Sequence, residues 1–274
     1  MSARTTQAVI LAGGLGTRMR REAEQGAALS ADQRAAAARG AKAMMPLGAR
    51  PFLDYVLSAL ADAGITDVVL VIGPGHDQVR EYFGVVAPPQ RVRLRFAVQQ
   101  EPRGTADAVL AARGAVDDAP FLALNADNYY PVAAFAALAE LGASGLIAFE
   151  AETLVHEGGI EPERVLKYAL VDATDGWLRA IHEKPDADDP LARRAERWVS
   201  MNVWSFTPTI FDACERVRPS ARGELEIQEA VTIAMRDLGE RFRVLPMRAG
   251  VLDLSSRADV ALVAERLAGV VPRP

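Results

Sequence analysis

The chain has 274 residues, half of them hydrophobic, which is enough to bury a sizeable core. Its 31 basic and 36 acidic residues leave a net charge of −5, an ordinary solvated balance that argues against a nucleic-acid-binding surface. The single cysteine, Cys214, excludes an internal disulfide and a Cys-rich zinc site. In chain order, short apolar runs at residues 8–11, 67–72, 94–98 and 121–124 read as buried strands. Between them, residues 51–63, 78–83 and 105–113 read as helices, with Gly64 as the stop after the first. Strand, helix, strand in repetition implies a parallel sheet with crossover helices on both faces. Residues 20–41, rich in Ala, Arg and Gln, read as a loop and a short helix at 31–39 with Ser30 as its N-cap.

Beyond about residue 145 the pattern loosens. Strands are expected at 146–150, 165–172, 178–183, 199–206 and 241–246, with Asp175-Gly176 as a turn between two of them. Helices are expected at 208–217, 224–238 and 256–268, and residues 186–189 form an acidic loop. No run approaches the ~18 apolar residues of a membrane span, and the polar start has no secretory apolar region. A soluble, cytoplasmic protein follows as the expectation, with no nucleic-acid or membrane partner and with homo-oligomerisation left open.

The first strand runs directly into Leu11-Ala12-Gly13-Gly14-Leu15-Gly16-Thr17-Arg18-Met19. Glycines there let backbone N–H groups approach a phosphate closely, and Arg18 adds a forked donor. A tight turn beside a surface arginine is the bland alternative on glycine spacing alone. A Walker A loop is excluded because Thr17-Arg18 follows Gly16 in place of Lys-Ser/Thr. A dinucleotide fingerprint is excluded because Met19 stands where its last glycine or alanine belongs.

Together with Lys42-Ala43-Met44-Met45-Pro46-Leu47, this loop resembles the signature of the sugar-1-phosphate nucleotidyltransferases, among them glucose-1-phosphate thymidylyltransferases and mannose-1-phosphate guanylyltransferases. The resemblance extends along nearly the whole chain. It implies a Rossmann-like nucleotidyltransferase fold of the α/β class: a mixed, mostly parallel central sheet flanked by helices, with a smaller sugar-binding β subregion. One domain over residues 1–274 is expected, with a nucleotide half at 1–145 and a sugar-phosphate half at 146–274. The implied partners are a nucleoside triphosphate and a sugar 1-phosphate. The implied chemistry is direct in-line transfer with Mg²⁺ as cofactor, releasing pyrophosphate and an NDP-sugar.

Residue by residue, the resemblance places Leu11, Ala12, Gly13, Gly14, Gly16, Thr17 and Arg18 around the triphosphate. It places Gln99, Pro102, Gly104 and Thr105 at the base-binding turn. Asp127, at the end of Leu124-Asn125-Ala126-Asp127, and Asp253 match the two metal aspartates. Tyr168, Glu183, Lys184, Asn202 and Arg222 match the sugar-phosphate side. Arg18, Lys42, Asp127 and Lys184 are the expected catalytic residues. The sugar phosphate is already a nucleophile at neutral pH, so no general base is needed, and the work is positioning and charge stabilisation.

Gln99 favours UTP or dTTP, because an amide there donates to a base carbonyl and accepts from N3–H. Gly104-Thr105-Ala106-Asp107 also resembles enzymes that use ATP or GTP, so a GTP- or ATP-using sugar or cyclitol phosphate enzyme is the alternative. The histidines His76, His156 and His182 and the lone Cys214 read as structural. Three departures from the family pattern stand out. The 20–41 excursion is long, and its Arg34 and Arg39 lie either on a solvated helix or over the triphosphate as a lid. Leu252 stands where Trp is usual, and Lys42-Ala43 replaces Lys-Pro. Two readings of other classes fit the residues less well: a regulatory subunit would lose its lysines or aspartates, and a glycosyltransferase would carry Asp-x-Asp where Asn125-Ala126-Asp127 stands.

Overall fold

The computed structural model describes residues 4–14, 16–21 and 29–274. Residues 1–3, Leu15 of the glycine loop and residues 22–28 of the expected excursion lie outside the described residues. Strand β1 (Gln7–Leu11) leads through the glycine loop to helix α1 (Thr17–Arg21). Helix α2 (Ala31–Arg39), a 3₁₀ turn (Lys42–Met44) and the small hairpin β2 (Pro46–Leu47) and β3 (Arg50–Pro51) follow. Next come α3 (Phe52–Asp62), β4 (Asp67–Ile72), α4 (Asp77–Glu81), β5 (Arg93–Val98), α5 (Thr105–Ala111) and β6 (Phe121–Asn125). Then β7 (Asn128–Tyr129) precedes α6 (Val132–Leu141), β8 (Gly145–Glu150) and α7 (Ala151–His156). The chain continues with β9 (Ala169–Thr174), β10 (Trp177–His182), β11 (Trp198–Ser200), β12 (Val203–Phe206), α8 (Thr209–Cys214) and α9 (Ile227–Asp237). It closes with β13 (Arg243–Met247), β14 (Leu252–Asp253) and α10 (Asp259–Leu267).

Ten strands form one mixed sheet in the order β11-β9-β10-β13-β8-β12-β6-β1-β4-β5. The run β6-β1-β4-β5 is parallel throughout, and β13 is parallel to β8. Strand β12 joins the two regions antiparallel to both β6 and β8. From β1 the chain moves first to β4 and β5 on one side, then returns to β6 on the other. The switch point of the sheet therefore lies at the ends of β1 and β6, where Leu11 pairs with Asn125. Open α/β sheets bind ligands in the crevice at that point.

Alternation along the strands builds a core on each face. Ala8 and Ile10 pack in one layer with Phe52, Val56 and Phe135 from α3 and α6. Val9, between them, points into the other layer with Val109, Phe211 and Val231 from α5, α8 and α9. Burial on both faces explains why these strands are continuous apolar runs with no polar alternation. Trp204 and Phe206 stack at 5.5 Å between ring centres, and Phe242 meets both rings edge-on.

Several expected elements shift. The strand expected at 165–172 begins only at Ala169, because Pro162 opens a 3₁₀ turn that runs to Lys167. The strand expected at 199–206 is two strands, broken at Asn202, whose φ is 57°. The helix expected from 224 starts at Ile227. Helix α2 matches its sequence signals: Ser30 and Gln33 form a reciprocal capping box, and Gly40 closes the helix in the left-handed region. Asp175 and Gly176, both at positive φ, make the β9–β10 turn.

Candidate active site

A cleft of about 370 Å³ opens at the switch point. Its floor is the glycine loop: Leu11, Ala12, Gly13, Gly14, Gly16 and Thr17 all line it. Lys42 enters from the 3₁₀ turn, Gln99, Pro102, Gly104 and Thr105 from the β5–α5 turn, and Asp127 from the end of β6. All the residues expected at the nucleotide therefore meet in one place except Arg18. Arg18 is exposed on α1, near enough to Lys42 for its charge to act on that ammonium.

The β5–α5 turn is stitched to the segment before α9. Leu225 N donates to Arg103 O at 2.7 Å, Ala106 N to Leu225 O at 2.9 Å, and Ile227 N to Thr105 Oγ1 at 2.9 Å. Gly104 sits at φ 131°, and a Cβ there would press on the Leu225 carbonyl and lie 2.6 Å from Leu225 N. Only glycine fits. Gly104→Ala is expected to lower stability by about 1–3 kcal/mol, read as the urea midpoint, because it adds both strain and a backbone clash. Glu224, from the same segment, lines this cleft and a second cavity of about 580 Å³.

At the centre, Lys42 Nζ donates to Asp127 Oδ2 at 2.8 Å. Burial alone pulls the Lys42 ammonium toward neutrality, but the Asp127 contact and the nearby Asp253 outweigh it, so its pKa lies above the ordinary lysine value. Asp127 and Asp253 are brought together by a short ladder: β7 pairs with β14, Asn128 opposite Asp253, and Leu254 N donates to Asp127 O at 2.8 Å.

Asp253 is buried in a cage of donors. Its Oδ1 accepts from Ser255 Oγ at 2.9 Å and Asn128 Nδ2 at 3.3 Å; its Oδ2 accepts from Tyr168 OH at 2.6 Å and from Arg164 Nη2. Arg164 also reaches Asp259 at 2.7 Å. Burial and the charge of Asp127 raise the Asp253 pKa, against the pull of Tyr168, Arg164 and Ser255. Two facing carboxylates suit a hard divalent cation, which takes oxygen ligands and keeps several waters. Asp127 has an oxygen that Lys42 does not use. Asp253 has its four lone-pair positions in use, so a cation held there would take the place of one of these donors.

The sugar-phosphate residues divide. Glu183 and Arg222 line the second cavity, with Arg216, Arg218 and Arg236 beside them. Arg222 Nη2 pairs with Glu226 Oε1 at 2.5 Å and lies 3.6 Å from Glu183 Oε1, and Lys184 Nζ lies 3.6 Å from the same oxygen. Burial raises the Glu183 pKa and Glu226 adds to it, while Lys184 and Arg222 oppose. Lys184 and Asn202 both adopt positive φ, at 47° and 57°. Such strain in residues other than glycine concentrates at functional positions. Asn202 Oδ1 accepts from Gln228 Nε2 at 2.9 Å, and Tyr130 OH fastens the same turn through Met201 O at 2.6 Å. Tyr168 lies ahead of β9, not on a strand, and its hydroxyl holds Asp253.

Some participants escaped the sequence reading. His76, read there as structural, lines the nucleotide cleft; its Nδ1 accepts from Gly73 N at 3.2 Å, and burial with Arg20 nearby lowers its pKa. Arg164 and Asp107 were missed as well. The Arg103–Asp107 spacing of four, from the turn before α5 into its first turn, was the available signal for the second. Of the two arginines weighed for a lid, Arg34 folds back to Leu29 O at 2.6 Å, whereas Arg39 lines a chamber adjoining the cleft together with Arg20. His182 pairs with Asp189 at 2.7 Å and His156 faces Glu152. The Cys214 thiol is buried in α8 and pushed up to about 12, so it is no nucleophile at neutral pH. Among the described residues no helix is long and apolar enough to cross a membrane.

A glycine loop, a lysine and a carboxylate at the switch point of an α/β sheet define a nucleotide-handling protein. The chain belongs to the nucleotidyl transferase family, whose family model matches residues 7–248. It is 29% identical over 84% of its length to the low-salt glycan biosynthesis nucleotidyltransferase of Haloferax volcanii, spanning 57% of that protein. It is 28% identical over 84% of its length to a UTP–glucose-1-phosphate uridylyltransferase of the same organism, spanning 84% of it. A glucose-1-phosphate thymidylyltransferase of Streptomyces antibioticus is 31% identical over 82% of the chain, which spans 56% of it. The chain thus spans little more than half the length of several relatives. Its fold is that of UDP-glucose pyrophosphorylase in complex with UDP-glucose, with a TM-score of 0.72, 18% identity, and coverage of 96% of this chain and 98% of the other.

Proposed function

We propose that the protein transfers a nucleotidyl group from a nucleoside triphosphate, UTP or dTTP first, to a sugar 1-phosphate, giving an NDP-sugar and pyrophosphate. The observation that carries this reading is the meeting of the glycine loop, Lys42, Gln99 and Asp127 in one cleft, with Glu224 joining it to the cavity of Glu183 and Arg222. The glycine loop and Lys42 hold the triphosphate, with Arg18 at the loop's outer end. Lys184 and Arg222 hold the sugar phosphate, while Glu183, Asn202 and Tyr168 shape the sugar side. Asp127 and Asp253 would hold Mg²⁺, which when bound supplies positive charge to the transferring and leaving phosphoryl oxygens. Lys42 stays charged through neutrality and so keeps a cation beside the reacting centre. On this reading residues 1–145 carry most of the nucleotide site and residues 146–274 the sugar-phosphate site of one domain. Residues 224–227 reach across to close the base turn.

The test is pyrophosphate release from purified protein with Mg²⁺, glucose 1-phosphate and each of UTP, dTTP, GTP, ATP and CTP. Release with UTP or dTTP supports the reading. Silence with every triphosphate, repeated over a panel of sugar phosphates, contradicts it and favours a regulatory subunit.

A further inference from the structure

Asp107 has no part in the chemistry above, yet it is among the few buried carboxylates of the described residues. It stands on α5 directly behind Gln99. The Gln99 side chain is 5% exposed, and its Nε2 donates twice: to Asp107 Oδ2 at 2.8 Å and to Gly104 O at 3.0 Å. An amide nitrogen carries two hydrogens, so both are used inside the protein. This revises the expectation that the Gln99 amide donates to a base carbonyl. Its Oε1 accepts no hydrogen bond from the described residues, and it lies against Gly13 of the cleft floor, where a Cβ would come within 2.8 Å of it. The opposite amide orientation is closed off, because it would set Oε1 against a carboxylate oxygen and a carbonyl oxygen. Asp107 is itself fixed by Arg103, which takes the other carboxylate oxygen through Nε at 3.1 Å and Nη2 at 2.5 Å. Arg103, Asp107 and Gln99 therefore form a relay that ends in a single acceptor facing the cleft.

We infer that Asp107 is a positioning residue for nucleobase selection: by fixing the Gln99 amide it makes the cleft accept bases that carry a ring imino N–H and refuse those that do not. Uracil and thymine present N3–H and guanine presents N1–H. Adenine N1 and cytosine N3 are acceptors, and would set a lone pair against Gln99 Oε1. A site built around a buried hydrogen bond rejects the analogue that cannot make it. The inference rests on the proposed nucleotidyl transfer for its biological meaning, but its readout is nucleotide binding, so the two fail separately.

The experiment titrates UTP, N3-methyl-UTP, GTP, ATP and CTP into the wild-type protein and into Asp107→Ala and Asp107→Asn by calorimetry, with pyrophosphate release followed in parallel. Wild type should bind UTP or GTP at least about tenfold more tightly than ATP and CTP, and lose about tenfold or more on N3 methylation. Asp107→Ala removes one of the two acceptors that hold the amide and leaves Gly104 O, so it should lower these ratios by about threefold or more. Asp107→Asn should lower them as well, because the Arg103 guanidinium claims its one amide oxygen and leaves an amide nitrogen facing Gln99 Nε2. A wild-type preference for ATP or CTP overturns the inference while leaving nucleotidyl transfer standing. So does an Asp107→Ala protein with unchanged ratios. If that variant does not fold, the N3-methyl comparison on wild type decides alone, and equal affinity for the two uridine nucleotides overturns the inference. Binding with the expected ratios but no pyrophosphate release with any sugar phosphate of the panel keeps the inference and refutes the proposed function.

Discussion

Asp127→Ala should lower turnover by about 10³-fold or more, the several kcal/mol that a metal ion's charge contributes at a phosphoryl transition state. The fold should survive. The side chain is 27% exposed, and its ion pair with Lys42 is a partly screened contact worth about 1 kcal/mol. Single-turnover product formation beside a thermal melt separates the two effects. A variant that folds and works near the wild-type rate would remove the metal assignment. Lys42 would then be only the partner of a half-buried carboxylate.

Asp253→Ala should fail differently, losing stability as well as activity. Its carboxylate is 4% exposed and engaged by Arg164, Tyr168, Asn128 and Ser255. Removing it strands those donors and leaves Arg164 with Asp259 as its remaining carboxylate partner, a disruption that typically costs about 3–5 kcal/mol for a buried pair. The urea midpoint should fall accordingly, whereas Asp127→Ala leaves it nearly unchanged. A loss under about 1 kcal/mol would mean that water or a neighbour replaces the carboxylate readily. The contrast between the two aspartates is the useful result, since one metal role predicts equal catalytic loss but very unequal structural loss.

The same contrast shows what the sequence made legible. The positions of the Leu11–Met19 loop and of Asp127 were legible because each follows a local apolar strand, whereas Lys42 was placed only by its resemblance to the family motif. The residue types there suit phosphate and metal chemistry. The parallel half of the sheet was readable for a related reason: residues 67–72 are buried on both faces and cannot be anything but a continuous apolar run. Asp253 could be named but not its surroundings, because the cage depends on Arg164, 89 positions away, and on pairing of the two-residue strands β7 and β14. No local pattern announces a two-residue strand. Helix α6 was not anticipated either. Its sequence, Val132 to Leu141, is mostly alanine and leucine without a polar face, and periodicity says little about such a segment. Gln99 was placed at the base turn from its neighbours, but its donor side was misjudged. Which end of an amide faces a ligand is decided by partners such as Asp107 and the Gly104 carbonyl, and those become known only when the turn is folded.

The most direct test of nucleotidyl transfer follows the α-phosphorus. Protein, Mg²⁺ and glucose 1-phosphate, or whichever sugar phosphate releases pyrophosphate, are incubated with UTP labelled at the α position and, separately, at the γ position. Nucleotidyl transfer puts α label in the NDP-sugar and γ label in pyrophosphate, with both lost in Asp127→Ala. Label from the γ position appearing on the sugar, or α label remaining only in UTP or free UDP, would contradict it.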